Sequence, residues 1–311
     1  MLVSPKIFYK KCYGKFAIAA VNVFTMEQVL GLFRAGHKAN APFIVQTTPV
    51  ARNYAHPHIL INMIEAASKI YPKAVFAIHL DHGIESHVFD AISAGNYNSV
   101  MIDASHDDFE TNVTRTQKVV QEAHKKNIFV EAELGVLSGV EDDISIDEKM
   151  ASYTGPDQAE SFVNQTQCDS LAIAVGTSHG AYKFSSGQRL QFGILGEIQK
   201  KLPEYPLVLH GGSAVNAKEV ERINQSGGQL SSGSSGVSPD EIIKSISYGI
   251  CKINIATDTR ILWARVHREF FRDKPDLFDP IIPGGEYMDA YEQFMLDKFD
   301  LLKATGQADL F

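Results

Sequence analysis

The sequence has few cysteines, no excess of positive charge and no long apolar run, and each absence removes a class of protein. Its three cysteines, Cys12, Cys168 and Cys251, are odd in number and scattered, so neither a disulfide framework nor a cysteine metal site is expected. A net charge of −8 without a basic tract argues against nucleic acid as a partner. Without a membrane-length apolar stretch or a secretory signal, we expect a cytoplasmic protein that does not enter the membrane.

Short apolar runs instead alternate with amphipathic ones along all 311 residues. The runs are four to eight residues long and most are rich in Val, Ile or Phe, which is typical of parallel strands buried on both faces. We predict eight strands, at 16–22, 42–47, 74–80, 98–103, 128–134, 170–176, 206–211 and 250–255. Eight strands alternating with helices predict an α/β fold, a (β/α)8 TIM barrel formed by residues 1–311 as a single domain.

Helical spacing of apolar residues supports this pattern at residues 26–39 and 109–125, and Ser238 followed by Pro239 predicts a helix start. The segment 284–304 predicts a C-terminal helical extension of the barrel. Two long segments interrupt the alternation. We interpret residues 135–156 as a mobile lid over the active-site face. The Gly/Ser-rich residues 225–238 fit a simple flexible insertion as well as they fit a functional loop.

Polar residues gather at the predicted carboxyl ends of the strands, where active sites of this architecture lie. The set comprises Asn22, Thr48, Asp81, His82, Asp103, Glu131, Glu133, His179, His210 and Asn254. Three histidines from three strands with an open fourth position are the arrangement of a catalytic zinc site, so His82, His179 and His210 are the predicted ligands. Asp103 and Glu133 would either orient the histidine rings or bind a second cation.

A phosphate site is predicted beside this metal. Gly211, Gly212 and Ser213 follow the seventh strand, and Asn254-Ile255-Ala256-Thr257 ends the eighth, which is the common phosphate position of the fold. A metal next to a bound phosphate can polarise the carbonyl of a phosphorylated ketone. Asp81, and Glu141 on the lid, are placed to exchange the protons of an aldol reaction.

These runs together resemble the class II, metal-dependent fructose-bisphosphate aldolases over nearly the whole chain. The matching motifs are HLDHG, SVMIDASHDDFETN, VEAELGVLSGVEDD, GTSHGAYK, LVLHGGSAV and KINIATD. The resemblance implies a lyase of glycolysis and gluconeogenesis that splits fructose 1,6-bisphosphate into dihydroxyacetone phosphate and glyceraldehyde 3-phosphate. It further implies one catalytic zinc per subunit, a possible second divalent or monovalent cation, and a homodimer or homotetramer.

The resemblance also assigns roles to individual residues. Asp81 would exchange the proton of the C4 hydroxyl, and Glu141 the proton on the dihydroxyacetone-phosphate carbon. Zinc would be bound by His82, His179 and His210, and Asp103 and Glu133 would serve a second or alternative metal position. The implied substrate contacts are Asn22, Thr48, Gly180, Lys183, Gly211, Gly212, Ser213, Asn254, Ile255, Ala256, Thr257 and Arg260.

Three departures from the family pattern put the sugar in question. Thr48 stands where the family usually has Ser, Ala256 replaces an Asp and is familiar from tagatose-bisphosphate relatives, and Ile281 stands where many relatives have an Arg. The alternatives are therefore a tagatose 1,6-bisphosphate aldolase, a Schiff-base aldolase that uses Lys252, and a non-catalytic barrel that binds sugar phosphates. A barrel metallohydrolase is disfavoured because no His-x-His pair lies on the first strand.

Overall fold

Eight parallel strands close into a barrel in the computed structural model of this chain, which describes residues 1–141, 144–146, 152–179, 189–231 and 236–311. Of residues 138–141, 144–146 and 179 it describes the backbone alone. The barrel strands are β1 (Ile18–Asn22), β2 (Phe43–Thr47), β3 (Phe76–Gly83), β4 (Ser99–Ile102), β5 (Phe129–Leu134), β8 (Ser170–Ile173), β10 (Leu207–Leu209) and β11 (Ile250–Ile255). Their order around the barrel is β1-β11-β10-β8-β5-β4-β3-β2, which confirms the predicted (β/α)8 fold.

The helices follow the strands in the expected alternation. They are α1 (Pro5–Cys12), α2 (Met26–Ala39), α3 (Pro49–Ala55), α4 (Pro57–Ile70), α5 (Glu85–Ala94), α6 (Phe109–His124), α7 (Pro156–Thr166), α8 (Phe192–Lys201), α9 (Ala217–Gln225), α10 (Pro239–Ile246), α11 (Thr257–Asp273) and α12 (Ile281–Leu301). The predicted start at Ser238 is confirmed, since its side chain accepts a hydrogen bond from the backbone N–H of Glu241. None of the described helices is both long and apolar enough to cross a bilayer.

The predicted C-terminal extension is present as α12, which packs along α2. Tyr291 lies against Gly31 of α2, where an added Cβ would come within 2.9 Å of the tyrosine ring. Gln28 donates a hydrogen bond to the hydroxyl of Tyr287 at 2.9 Å, and Arg34 forms an ion pair with Glu292. The extension therefore belongs to the helical layer that encloses the barrel.

Helix α1 was not predicted, and it covers the amino-terminal end of the barrel. Phe8 and Cys12 are fully buried. The ring of Tyr9 meets that of Phe129, the first residue of β5, edge to face with ring centres 5.4 Å apart, a spacing typical of aromatic pairs. With that end closed, the carboxyl ends of the strands form the accessible face.

The segment 135–156 is more regular than the predicted loop. Its described part contains β6 (Ser138–Glu141) and β7 (Ile144–Ile146), which pair antiparallel, and β6 also pairs with β9 (Ser178–His179). The part of the proposed lid that the structure describes is therefore a β-hairpin and not an irregular loop. The pairing brings the backbone of Glu141 and that of His179 into one small sheet at the carboxyl face of the barrel.

Candidate metal centre and active site

Strand β3 carries two of the predicted site residues on a bulge. Its pairing with β4 shifts register between Leu80 and Gly83, and His82 adopts a left-handed backbone conformation with φ of 48°. Successive side chains of a regular strand point to opposite faces, and a bulge can turn one of them. Here both Asp81 and His82 contact residues of the barrel mouth, so the bulge brings two neighbouring polar side chains into one site.

Imidazole and carboxylate groups converge around His82. Its Nδ1 lies 2.8 Å from Asp103 Oδ2 and 3.8 Å from Glu133 Oε2, and the same Glu133 oxygen lies 3.5 Å from Nδ1 of His210. The rings of His82 and His210 have centroids 4.7 Å apart. Two clusters result, Asp81-His82-His210 and His82-Asp103-Glu133, each with its donor atoms within 4.8 Å of one another.

The chemistry of these donors fits a divalent transition metal. Histidine nitrogen and carboxylate oxygen are ordinary ligands of zinc, and thiolate is not required. The side chains of Asp103 and Glu133 are almost completely buried, and in the described part of the chain Oε2 of Glu133 makes no hydrogen bond. A buried carboxylate oxygen directed at two imidazoles is costly without a cation to neutralise it, so the geometry fits a metal between them.

Electrostatics keep Asp81 and Asp103 ionised. Burial raises the pKa of Asp81, but the nearby His82 and Lys252 outweigh it, so the pKa falls below its ordinary value. Burial also raises the pKa of Asp103, but the hydrogen bond and charge of His82, together with the hydrogen bond from Ser105, outweigh it, so this pKa is lowered as well. Burial lowers the pKa of His82, whereas Asp81 and Asp103 raise it to about 10. The carboxylates around His82 thus favour a proton on its ring, and the same negative charge favours a metal cation at this place.

Two amides hold the carboxylate of Asp81 from both sides. Asn22 donates from Nδ2 to Oδ2 at 3.2 Å, and Asn254 donates from Nδ2 to Oδ1 at 3.0 Å. Gln46 in turn donates to Oδ1 of Asn22 at 2.6 Å. All four side chains are buried, so Asp81 has a fixed orientation next to His82. An ionised carboxylate fixed beside a metal site can take or return a proton on a bound substrate.

Comparison with known proteins identifies the family. The model of the family "Fructose-bisphosphate aldolase class-II" matches residues 5–229 and 231–307. The fructose-bisphosphate aldolase of Thermus caldophilus is 38% identical over 310 residues, covering 99% of this chain and 100% of the relative. That of Helicobacter pylori (strain ATCC 700392 / 26695) is 40% identical over 271 residues, covering 87% of each chain. The chain belongs to the class II fructose-bisphosphate aldolases.

Solved structures agree with this assignment. The crystal structure of the YdjI aldolase from Escherichia coli K12 superposes with a TM-score of 0.77 at 28% identity, over 99% of this chain and 100% of the other. A putative fructose-1,6-bisphosphate aldolase from Coccidioides immitis gives a TM-score of 0.81 at 24% identity, over 99% and 98%, and supports the fold. Class II aldolases are metal-dependent carbon–carbon lyases, which accords with the donor clusters around His82.

The third predicted histidine of this class II aldolase, His179, is located by its backbone. Ser178, which precedes His179, has its carbonyl oxygen 2.5 Å from where a Cβ on Gly211 would stand, and Gly211 directly follows His210. Gly211 has a φ of 63°, a conformation that favours glycine. The backbones next to His179 and His210 are therefore in contact. Gly180 and Lys183 lie outside the described residues, as do the side chains of His179 and Glu141.

The predicted phosphate loop packs closely against β11 and is held by hydrogen bonds to Asp258. A Cβ on Gly212 would lie 2.7 Å from the side chain of Ile253. The carboxylate of Asp258 accepts hydrogen bonds from the backbone N–H groups of Ala214 and Val215 at 3.1 and 2.9 Å, and Lys298 donates to it at 2.8 Å. Asp258 had no predicted role, and only the folded chain brings it to this loop.

The remaining predicted contacts lie around this loop and across the barrel mouth. Ser213 is buried, and Asn254 and Ile255 end β11, so that Ala256 precedes the amino terminus of α11 and Thr257 begins it. The amino terminus of α11 supplies backbone N–H groups that can bind a phosphate.

Two other predicted contacts already have intramolecular partners. The guanidinium of Arg260 lies 5.1 Å from the ring centre of Phe24. Thr48 is fully buried and accepts a hydrogen bond from the backbone N–H of Ala51 at 3.1 Å, so its hydroxyl caps α3. A substrate contact by Thr48 has to coexist with this capping bond.

Sequence reasoning gave no role to the carboxylate beneath the metal cluster. Oε1 of Glu131 lies 3.1 Å from Nε2 of His210, and both its oxygens accept hydrogen bonds from Nζ of Lys252, at 2.9 and 2.8 Å. The available signal was the spacing to Glu133, since residues two apart on a strand share a face. Lys252 is fully buried in this contact, which argues against the Schiff-base alternative.

Proposed function

We propose that this class II aldolase catalyses the reversible cleavage of fructose 1,6-bisphosphate to dihydroxyacetone phosphate and glyceraldehyde 3-phosphate. The observation that carries the proposal is the pair Asp81-His82, in which a buried, ionised carboxylate fixed by two amides adjoins a metal-type histidine. Sugar phosphates are the substrates of the family, and the relatives named above are fructose-bisphosphate aldolases.

The proposed ligands of one zinc ion per subunit are His82, His179 and His210. When bound there, zinc would supply a positive charge that polarises the substrate carbonyl and stabilises the negative charge formed on it. Asp103 accepts the hydrogen bond of His82 Nδ1 and so orients that ring. Together with Glu133 it also forms the second donor cluster, where we place the alternative cation position.

Asp81 takes the proton from the C4 hydroxyl during cleavage and returns it to the alkoxide during synthesis. Its lowered pKa keeps it in the basic form at neutral pH, and its amide partners fix the direction of transfer. Glu141, on the β6–β7 hairpin, exchanges the proton on the dihydroxyacetone-phosphate carbon. Pairing of β6 with β9 supports this role because it holds the Glu141 backbone beside the strand of His179.

The phosphate of dihydroxyacetone phosphate binds to Gly211, Gly212 and Ser213 and to the amino terminus of α11. The anchored loop and its close backbone packing support this assignment. The other proposed contacts with the substrate are Asn22, Thr48, Gly180, Lys183, Asn254, Ile255, Ala256, Thr257 and Arg260. Asn22 and Asn254 have a second role in this scheme, since their amides hold Asp81.

A coupled assay of fructose 1,6-bisphosphate cleavage tests the proposal. We expect turnover that EDTA abolishes and added Zn²⁺ restores. Tagatose 1,6-bisphosphate is assayed in parallel, and equal or faster cleavage of that sugar would reassign the substrate. Protein that binds zinc and dihydroxyacetone phosphate but neither cleaves the sugar nor exchanges the ketone's proton would instead be a sugar-phosphate-binding barrel.

We further propose that the chain acts as a single-domain homodimer or homotetramer in the reducing cytoplasm. Three free, buried thiols support the compartment. Exposed apolar side chains near the start of α12 support self-association, since Phe278 is 93% exposed and Ile281 76%. Light scattering coupled to size-exclusion chromatography measures the number of subunits.

A further inference from the structure

A lysine ammonium lies inside the barrel, directly beneath the proposed metal centre. Nζ of Lys252 on β11 contacts both carboxylate oxygens of Glu131 on β5, at 2.8 and 2.9 Å, and lies 3.3 Å from Nε2 of His79 on β3. It is also 4.0 Å from Oδ1 of Asp81. These strands are not neighbours in the barrel, so the ammonium joins opposite walls of the interior.

The surroundings of this ammonium are those of a bound cation. His79, Asp81 and Glu131 form a third cluster of metal-type donors within 4.8 Å of one another, and Lys252 provides the positive charge there. Burying a lysine and a carboxylate is costly, and the pair persists only when its hydrogen bonds are satisfied. Such a costly arrangement at the base of a catalytic site calls for a reason beyond packing.

Hydrogen bonding determines where the protons lie around His79. An ammonium only donates, so Nε2 of His79 accepts from Lys252, and Nδ1 carries the proton that Ser99 Oγ accepts at 2.7 Å. Burial and the adjacent ammonium lower the pKa of His79 to about 3, so its ring is neutral. The ring therefore holds Lys252 in place without adding charge.

Hydrogen bonds extend from Lys252 through Glu131 to His210, a proposed metal ligand. Glu131 is an acceptor when ionised, so the nitrogen of His210 that faces it, Nε2, carries a proton. The other nitrogen, Nδ1, lies on the side of Glu133, at 3.5 Å from Oε2, inside the metal cluster. A histidine binds a metal through the nitrogen that has no proton, and the partner of the opposite nitrogen fixes that choice.

We propose that Lys252 is a positioning residue for the metal centre: it clamps Glu131, which holds Nε2–H of His210 and so presents Nδ1 to the metal. The inference rests on the proposed function, because it takes His210 to be a metal ligand. Lys252 does not touch the substrate in this scheme. Its loss frees the Glu131 carboxylate to rotate, and the ring of His210 loses its fixed orientation.

Zinc affinity, measured by competition with a chromophoric chelator, tests the proposal in the full-length protein. We expect Lys252→Met to bind zinc 10- to 100-fold more weakly, the range for loss of an outer partner of a metal ligand. The visible spectrum of the cobalt-substituted protein should also change, since it reports the geometry around the ion. A folded variant with wild-type zinc affinity and an unchanged cobalt spectrum would overturn the inference.

Two further variants separate positioning from general destabilisation. Lys252→Met leaves the Glu131 charge unpaired, so the double variant Lys252→Met/Glu131→Gln removes both charges and retains an amide oxygen for His210. It too should bind zinc more weakly, and wild-type affinity in it overturns the inference even if the single variant does not fold. The matched control is Arg265→Met, which breaks the ion pair with Glu269 at 2.9 Å on the outer helix α11 and should leave zinc affinity unchanged.

Zinc binding by the wild-type protein separates failure of the proposed metal centre from failure of the role of Lys252. If the wild type binds zinc and the lysine variants bind it equally well, only the role of Lys252 is refuted. If the wild type binds no zinc, the proposed metal centre is refuted and the role of Lys252 falls with it. Equal weakening in Arg265→Met would also refute positioning, because distant loss of an ion pair would then suffice.

Discussion

Asn254 donates a hydrogen bond from its side-chain amide to Oδ1 of Asp81 at 3.0 Å, across the mouth of the barrel. Asn22 binds the other carboxylate oxygen, so neither oxygen can rotate away from its donor. The residues that the family pattern assigns to the substrate therefore also orient Asp81, the proposed acid–base group. In the proposed mechanism, this shared contact links the position of the substrate to the direction in which Asp81 transfers a proton.

Replacing Asp81 with Asn should remove this proton transfer while keeping the shape of the side chain. We expect kcat for fructose 1,6-bisphosphate cleavage to fall by about 10²- to 10⁴-fold, the usual contribution of a general acid–base group. Zinc content should remain close to one equivalent, because three other side chains are the proposed ligands. Asp297→Asn, a change at an exposed position on α12, is the control. More than a tenth of wild-type kcat in Asp81→Asn would contradict the assignment.

Removal of a histidine should instead abolish metal binding. His82→Asn eliminates a side chain common to two of the donor clusters, so we expect the purified variant to hold less than a tenth of the wild-type zinc. Elemental analysis after dialysis measures this. His124→Asn is the matched control, since His124 is a partly exposed residue that pairs with Asp169 on the barrel exterior. One full equivalent of zinc in His82→Asn would show that the ion binds elsewhere.

Most of the fold could be predicted because buried parallel strands have a distinctive composition. The predicted strand 250–255 is confirmed residue for residue, and the others differ by one to three residues at their ends. Strand β3 runs three residues beyond its prediction, through Gly83, because its last residues are polar and reach into the site. Helix α1 was missed since eight residues give too few turns for a clear apolar period.

The site was predictable where chemistry follows a strand and unpredictable where it depends on partners across the barrel. HLDHG indicated Asp81 and His82, but the bulge that turns both inward is a matter of backbone register. Glu131 and Lys252 are 121 positions apart in the chain, and nothing local indicates that they meet. Contacts between non-adjacent strands exist only after the barrel closes, so the sequence pattern carries no direct sign of them.

Borohydride should not trap this enzyme with its substrate. A Schiff base requires an unprotonated amine that reaches the carbonyl, whereas Lys252 is fully buried with its ammonium held by both oxygens of Glu131. Incubation with dihydroxyacetone phosphate and borohydride should leave both activity and intact mass unchanged. A muscle-type Schiff-base aldolase treated in the same way is the positive control. A mass increase located at Lys252 would restore the metal-free mechanism.

We expect the contribution of Asp258 to stability to weaken in acid. Burial raises the pKa of this carboxyl, but Lys298 and two backbone N–H groups outweigh it, so its pKa in the folded protein is lowered. A lowered pKa means that the ionised carboxylate stabilises the fold. This stabilisation is complete above the pKa that the carboxyl has in the unfolded chain, and it is lost as the pH falls through the pKa that the carboxyl has in the folded protein. Asp258→Asn should therefore reduce the free energy of unfolding by about 3 kcal/mol near neutral pH.

That difference should shrink in acid. At pH 3.5 the unfolded carboxyl is largely protonated, and the gap between wild type and Asp258→Asn should be smaller than at pH 6 by up to roughly 0.7 kcal/mol. Urea titrations at fixed protein concentration measure both values. Asp297→Asn again serves as the control, since an exposed carboxyl should give little difference at either pH. A gap that stays constant or widens between pH 6 and pH 3.5 would show that the ionised carboxylate does not anchor the predicted phosphate loop.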